Sequence, residues 1–243
     1  MEKISCFCLP FAGGSRYSYR NYEESAPSFL QIIPLEYPGR GARMKEPLVA
    51  DIDCLVQDLY RQIEGLTGSR KYVIYGHSMG GLLACLLARY IRSKNHPMPL
   101  HIFITGTPGP AAPSRGSKKW HLLNTDDLLA ELRELDGVPG GLLEDRELMK
   151  FFEPVLRADF KAIETYVYEE AEPLDIPLTV ITGAHEDMLK EDIFMWQRET
   201  NHPVDFREMP GGHFFIFKNA HSILRIISDK ISSYRQSAGV LRL

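Results

Sequence analysis

Residues 71–90 read Lys71-Tyr72-Val73-Ile74-Tyr75-Gly76-His77-Ser78-Met79-Gly80-Gly81-Leu82-Leu83-Ala84-Cys85-Leu86-Leu87-Ala88-Arg89-Tyr90, and the rest of the chain is organised around them. The apolar run to Tyr75 is of the kind a buried strand makes, while Leu82, Leu83, Leu86, Leu87 and Tyr90 recur at helical spacing. Between strand and helix stands G-x-S-x-G, at Gly76, Ser78 and Gly80. Such a junction is a nucleophile elbow, a strained turn that lifts a serine hydroxyl clear of the sheet. Small residues are needed on both flanks, because a Cβ at either would collide with neighbouring backbone. The positive end of the following helix points at the hydroxyl.

Working back towards the N-terminus, Ile4 to Leu9 reads as a buried strand closed by Pro10-Phe11-Ala12-Gly13-Gly14. A Gly-Gly loop straight after a strand lets backbone N–H groups approach a ligand. Residues 16 to 30, with Tyr17, Tyr19, Tyr22 and Phe29, read as a helix packed on the sheet. Gln31 to Leu35 is a second strand, followed by the loop Tyr37-Pro38-Gly39-Arg40-Gly41. From Asp51 to Leu66 one face carries Ile52, Leu55, Val56, Leu59, Ile63 and Leu66, which predicts a helix.

Beyond the elbow, Leu100 to Thr105 is another strand, and the order so far is βαβαβαβ, the pattern of a parallel, doubly wound sheet. With the elbow, this predicts an α/β-hydrolase fold in one domain spanning residues 1–243. Composition changes after Pro108, and helices are predicted at Asp126 to Leu135 (capped by Thr125), Asp145 to Phe152 and Val155 to Tyr168. This all-helical insertion, at about 110–172, falls on the side where ligands bind and reads as a lid. Strand patterns return at Pro177 to Thr182 and Val204 to Glu208, and a closing helix runs from Asn219 to about Tyr234.

The chain has 243 residues, 44% hydrophobic and 25% charged, enough for one large core. A formal charge of −4 and no long basic run argue against a nucleic-acid partner. Cys6, Cys8, Cys54 and Cys85 sit in apolar patterns without metal-ligand spacing, which reads as buried reduced thiols. Met1-Glu2-Lys3-Ile4 enters a strand directly, and no apolar stretch reaches the about 20 residues that span a bilayer. The expectation is a cytoplasmic protein with no membrane association.

A serine hydroxyl needs a base within hydrogen-bond reach, and the base needs a third group to fix its tautomer. In this fold the order along the chain is Ser, acid, His. His213 follows Gly211-Gly212 after the last strand, in a loop that must return to the elbow, and is the candidate base. His77 should diverge from Ser78, and His96, His101, His121, His202 and His221 read as structural or solvated; His185 precedes the last strand and lies on the wrong loop. For the acid, Asp187 is favoured by the apolar Met188-Leu189 that follows it, with Glu186 as the alternative. The tetrahedral oxyanion is expected to meet the backbone N–H groups of Met79 and Ala12. This Ser-His-Asp chemistry calls for no metal and no bound cofactor.

Several segments together resemble the type II thioesterases of nonribosomal peptide and polyketide synthase systems. They are Leu9-Pro10-Phe11-Ala12-Gly13-Gly14, Tyr37-Pro38-Gly39-Arg40-Gly41, the elbow, Leu135 to Pro139, Pro154-Val155-Leu156-Arg157-Ala158-Asp159-Phe160 and Gly211-Gly212-His213-Phe214. The likeness covers nearly the whole chain, and its lid segments would not be shared by a generic esterase. It implies hydrolysis of acyl groups from the phosphopantetheine thiol of carrier proteins, which clears misprimed carriers or releases intermediates. It also implies an acid three residues after the loop glycine Gly183, the position of Glu186. A monomer acting on carrier domains is expected, with Arg40, Arg43, Lys45, Arg115, Lys118 and Lys119 as cations that could meet an acidic carrier. The alternative is a carboxylesterase or acyltransferase acting on small esters.

Overall fold

The computed structural model describes residues 3–68, 70–135 and 145–240. Among these, six strands form one sheet: β1 (Ile4–Leu9), β2 (Leu30–Pro34), β3 (Tyr72–His77), β4 (Ile102–Thr105), β5 (Leu178–Gly183) and β6 (Asp205–Met209). Their order is β2-β1-β3-β4-β5-β6 and every pair is parallel. A parallel sheet is covered on both faces, which is why β1, β3, β4 and β5 are buried along their whole length. The edge strand β6, Asp205-Phe206-Arg207-Glu208-Met209, needs no such run.

Alternate residues feed two cores. Phe7, Leu9, Ile74, Ile102, Ile104 and Val180 pack with α2 (Ile52–Thr67) and α3 (Met79–Ser93). Cys6, Cys8, Val73, Tyr75, Phe103 and Ile181 face Ile223, Leu224, Ile227 and Ile231 of the long closing helix Ala220–Val240. The chain leaves β1 towards β2 and leaves β3 towards β4, so the winding reverses between β1 and β3. That reversal is where open α/β sheets bind ligands, outside the strands' carboxyl ends. Ser78 follows β3 at that point.

Several local expectations are corrected. Residues 16–30 are not one helix: a 3-10 turn, Arg16–Tyr19, leads into α1 (Arg20–Ser25), and Pro27 lies beyond its end. The first helix of the insertion, α4 (Thr125–Glu134), is capped by Asn124, whose side chain accepts from Asp127 N, rather than by Thr125. The two helices expected either side of Pro154 are a single α5 (Arg146–Glu164), capped by Asp145. Pro154 costs one backbone hydrogen bond, but Met149, Leu156 and Phe160, on both sides of it, bury into one small core with Trp120, Leu128 and Leu132. Of the stretch Leu135 to Pro139, only Leu135 lies within the described residues. Cys6, Cys8 and Cys85 are buried thiols as expected, but Cys54 is exposed on the first turn of α2. Among the described residues no helix is long and apolar enough to cross a membrane.

Candidate active site

Ser78 has φ +54° and ψ −116°, a conformation that a residue with a side chain rarely adopts. Its neighbours impose it. A Cβ on Gly76 would run into the carbonyl of Gly80, and one on Gly80 into the carbonyl of Leu9. Strand and helix therefore meet backbone to backbone, and the turn has no room to relax. Ser78 N donates to Thr105 O at 2.8 Å, tying the turn to β4. Ser78 itself stays partly exposed while β3 and the first turn of α3 are buried.

His213 lies in the loop after β6, and its Nδ1 is 2.7 Å from Glu186 Oε1. The other carboxylate oxygen of Glu186 accepts from Gly183 N at 2.6 Å, so the group is fixed at both ends. Its side chain is only 3% exposed, against 19% for the imidazole. Of the two acids weighed from the sequence, then, it is Glu186 that reaches the histidine. The favoured Asp187 is one residue further round the turn; it is exposed and lines the same cavity, but it is Glu186 that bonds the ring. The extra methylene of glutamate lets Glu186 fold back under the loop to both Gly183 N and the ring, a reach that the flanking apolar residues do not encode.

His77 is fully buried and does diverge from Ser78. Its Nδ1 lies 3.2 Å from Thr105 O and 3.0 Å from Thr105 Oγ1. The carbonyl can only accept, which places the proton on Nδ1. Burial, and then the neighbouring His213, hold its pKa well below the ordinary histidine value, so the ring is neutral. It is nevertheless more than filler: the His77 and His213 rings lie 4.9 Å apart, at 38°. Of the other histidines, His185 lines the cavity beside Glu186, while four bond elsewhere. His101 is buried between Tyr234 and Thr179, His121 binds Glu164, and His96 and His202 bind Tyr60 and Asp175.

Ser78, His213 and Ala12 line one cavity of about 820 Å³, walled on its far side by Trp120, Leu156 and Phe160 of the helical insertion. In the loop from Pro10 to Gly14, Gly13 N donates to Asp159 Oδ2 at 2.8 Å and Gly14 N to Phe11 O at 2.8 Å. Gly13 and Gly14 are thus committed, which leaves the N–H groups of Phe11 and Ala12, and of these two Ala12 is the residue expected to donate to the oxyanion. Met79 N, the first of α3, has no partner inside its helix either.

The cations read from the sequence as a docking surface are largely used internally. Arg40 is buried and bidentate to Asp159. Arg43 spans Asp58 and Glu46. Arg115 donates to the carbonyls of Gly109 and Pro108 and to Thr107 Oγ1. Lys119 reaches Glu164 O, and Lys118 lies over the Trp120 ring. Asp159 and its bond to the Gly13 loop were not singled out from the sequence. The only signal was an acid inside the amphipathic Pro154–Phe160 segment, and its partner is 119 residues away.

A parallel sheet with a strained serine turn at its winding reversal, and a carboxylate-bound histidine on a neighbouring loop, defines an α/β-hydrolase. The thioesterase-domain family model matches residues 5–231, and the chain belongs to that family, a family of hydrolases acting on thioesters. The chain is 29% identical over 230 residues to the gramicidin S biosynthesis protein GrsT of Aneurinibacillus migulanus, covering 94% of this chain and 89% of that one. The structure of ClbQ from the colibactin NRPS/PKS pathway superposes with a TM-score of 0.91 at 29% identity, covering 97% of this chain and all of the other. The type II thioesterase BorB from the borrelidin biosynthetic cluster gives 0.85 at 31% identity, over 94% and 92% of the two chains.

Proposed function

We propose that this chain is a type II thioesterase that hydrolyses acyl groups from the phosphopantetheine thiol of carrier proteins in a nonribosomal peptide or polyketide pathway. The observation that carries the proposal is the Glu186–His213 hydrogen bond beside Ser78 on one cavity. Glu186 holds the proton of His213 on Nδ1 and leaves Nε2 free to act as base. Nε2 takes the Ser78 proton as Oγ attacks the thioester carbonyl. The N–H groups of Met79 and Ala12 meet the oxyanion. Each such donor is worth about 3–4 kcal/mol of transition-state stabilisation. Collapse expels the carrier's sulfur, a good leaving group, which takes the proton from Nε2 and departs as the thiol, returning His213 to its neutral form. Water then attacks the acyl-Ser78 ester, giving its proton to Nε2, and Ser78 leaves with that proton.

On this reading the triad is Ser-His-Glu, no metal or resident cofactor takes part, and the phosphopantetheine arrives with the substrate. The helical insertion acts as the lid over the acyl group. All the groups come from one chain, so a monomer suffices, and the partner is a cytoplasmic carrier domain. Clearing misprimed carriers, or releasing intermediates, is its role on this reading.

The test is to incubate the protein with an acetyl-loaded carrier protein and follow the carrier's intact mass, with Ser78→Ala alongside. Loss of the acyl group to the free thiol, absent in the variant, is the expected result. A carrier that stays loaded while a simple ester is cleaved would replace this reading with a carboxylesterase. Transfer of the acyl group to an added alcohol or amine, faster than to water, would replace it with an acyltransferase.

A further inference from the structure

The loop that carries Ala12 is held from outside by one polar cluster. Tyr37 Oη donates to Pro10 O at 2.8 Å, Asp159 Oδ2 accepts from Gly13 N at 2.8 Å, and Arg40 Nη1 donates to Gly14 O at 3.3 Å. Arg40 also clamps both oxygens of Asp159, at 2.5 and 2.6 Å, and its guanidinium lies over the Tyr37 ring. Asp159 is completely buried, and Arg40 is 6% exposed with its Nε unpartnered among the described residues. A buried ion pair of this kind adds little net stability over an apolar pair of the same shape, and an orphaned N–H subtracts from it. The arrangement is better explained by what it positions.

Asp159 lies on α5, between two residues that line the cavity, Leu156 and Phe160. Leu156 also touches the loop: a Cβ on Gly13, which has φ +76°, would lie 2.6 Å from Leu156 Cδ2. The helix thus meets Gly13 twice, one turn apart, through an apolar contact and a carboxylate-to-amide hydrogen bond.

We propose that Asp159, held by Arg40, is the positioning residue that sets the Ala12 N–H donor, and that through it the acyl-binding helix adjusts the oxyanion site to the acyl group bound. An acyl chain pressing on Leu156 and Phe160 bears on the element that carries Asp159. A shift of α5 moves the carboxylate, and the carboxylate moves Gly13 N, one peptide away from the Ala12 donor. Acyl identity is then read out in kcat as well as in binding. The proposal rests on the assignment of Ala12 to the oxyanion site made above.

The experiment compares wild type with Asp159→Asn and Arg40→Lys on acetyl- and octanoyl-loaded carrier protein, alongside phosphonylation of Ser78 by an alkyl phosphonate fluoride. Asparagine keeps the shape and one acceptor, and lysine keeps the charge without the fork. The expected result is a kcat 10- to 100-fold lower with KM within threefold. The octanoyl-to-acetyl kcat ratio should also move by threefold or more, and phosphonylation should slow in step. Variants within threefold of wild type in kcat on both substrates would overturn the proposal. So would equal losses on both substrates that track a fall in Tm, the mark of a merely structural pair. Phosphonylation needs the oxyanion donors but no carrier. A wild type that is phosphonylated quickly, with slow labelling of the variants, yet inert on carriers would sink the proposed substrate and leave the positioning role standing.

Discussion

The elbow and the helical cap face each other across one cavity, but different forces hold them. The elbow is fixed by backbone contact: Gly76 against Gly80, Gly80 against Leu9, and Ser78 N on Thr105 O. Its geometry follows from residues within a few positions of one another and from apolar strands on either side. The cap is tied to the rest by polar bonds from Asp159 to Arg40 and Gly13, and is held together by Glu164 on Trp120 N and His121 and by Arg157 on the carbonyls of His121 and Leu123. Among the described residues, its own core is a satellite of six buried ones. Sterics cannot be adjusted by a ligand, whereas a polar tether between two packed elements can be. The rigid half suits the nucleophile and the tethered half suits the variable acyl group.

The largest effect should come from the bond joining His213 to the rigid half. Glu186→Gln keeps the shape but can no longer hold the imidazole in the productive tautomer. Thioester hydrolysis should fall by about 10³- to 10⁴-fold with little change in Tm. Asp187→Asn, on the exposed neighbour, should leave the rate within about threefold. Steady-state rates of the two variants on one substrate settle the acid, and the reverse pattern would return Asp187 to the triad.

Next in size is a pair of glycine substitutions. Gly80→Ala must displace the end of β1, because the added Cβ has only backbone to meet. A loss of about 3 kcal/mol or more is expected, or failure to fold. Gly65→Ala, on the exposed face of α2 with open space around it, should instead stabilise by about 0.5–1 kcal/mol. Denaturant midpoints check both. A Gly80→Ala protein as stable as wild type would mean that the elbow is less tightly packed than its backbone contacts require.

In the cap, Glu164 accepts from Trp120 N at 2.8 Å and His121 N at 3.1 Å, and binds the His121 ring. Glu164→Gln weakens three bonds to a carboxylate that is nearly buried, at a cost of about 1–3 kcal/mol. The loss should be local, with faster amide exchange at residues 120–123 and unchanged exchange in β3 and β4. Uniformly faster exchange would show that cap and sheet open as one unit, and the contrast between them would fail.

The same division governs what could be read from the sequence. The strands, the crossover order, Ser78 and His213 announce themselves because runs, periodicity and a turn motif are local signals. The choice between Glu186 and Asp187 did not, since it depends on which carboxylate reaches back past Gly183 to the His213 ring, 27 residues away. Pro154 argued for a break in α5, yet burial of the residues on both sides of it carries the helix through. Arg40 looked like a surface cation because nothing near residue 40 reveals its partner on α5. Local propensity places elements, but buried charges find their partners only in the fold.

The smallest effect concerns the sheet side alone. His101 is buried, stacked on Phe103, and bonded through its two ring nitrogens to Tyr234 and Thr179. Burial, reinforced by Lys230, pushes its pKa down to about 3. The unfolded chain takes up a proton near pH 6.5, where the folded protein does not. The contribution of His101 is therefore fully present above about pH 6.5. It is lost as pH falls from there towards about 3, by up to ~1.4 kcal/mol for each pH unit. His77, also held neutral by burial, adds a slope of the same sign as pH falls below the ordinary histidine range. Urea midpoints at pH 7.0 and 5.5 should differ accordingly, and His101→Gln should remove the slope of one proton. A His101→Gln protein with the wild-type pH dependence would mean that His101 is protonated in the folded state, and that the sheet side is less sealed from water than its packing implies.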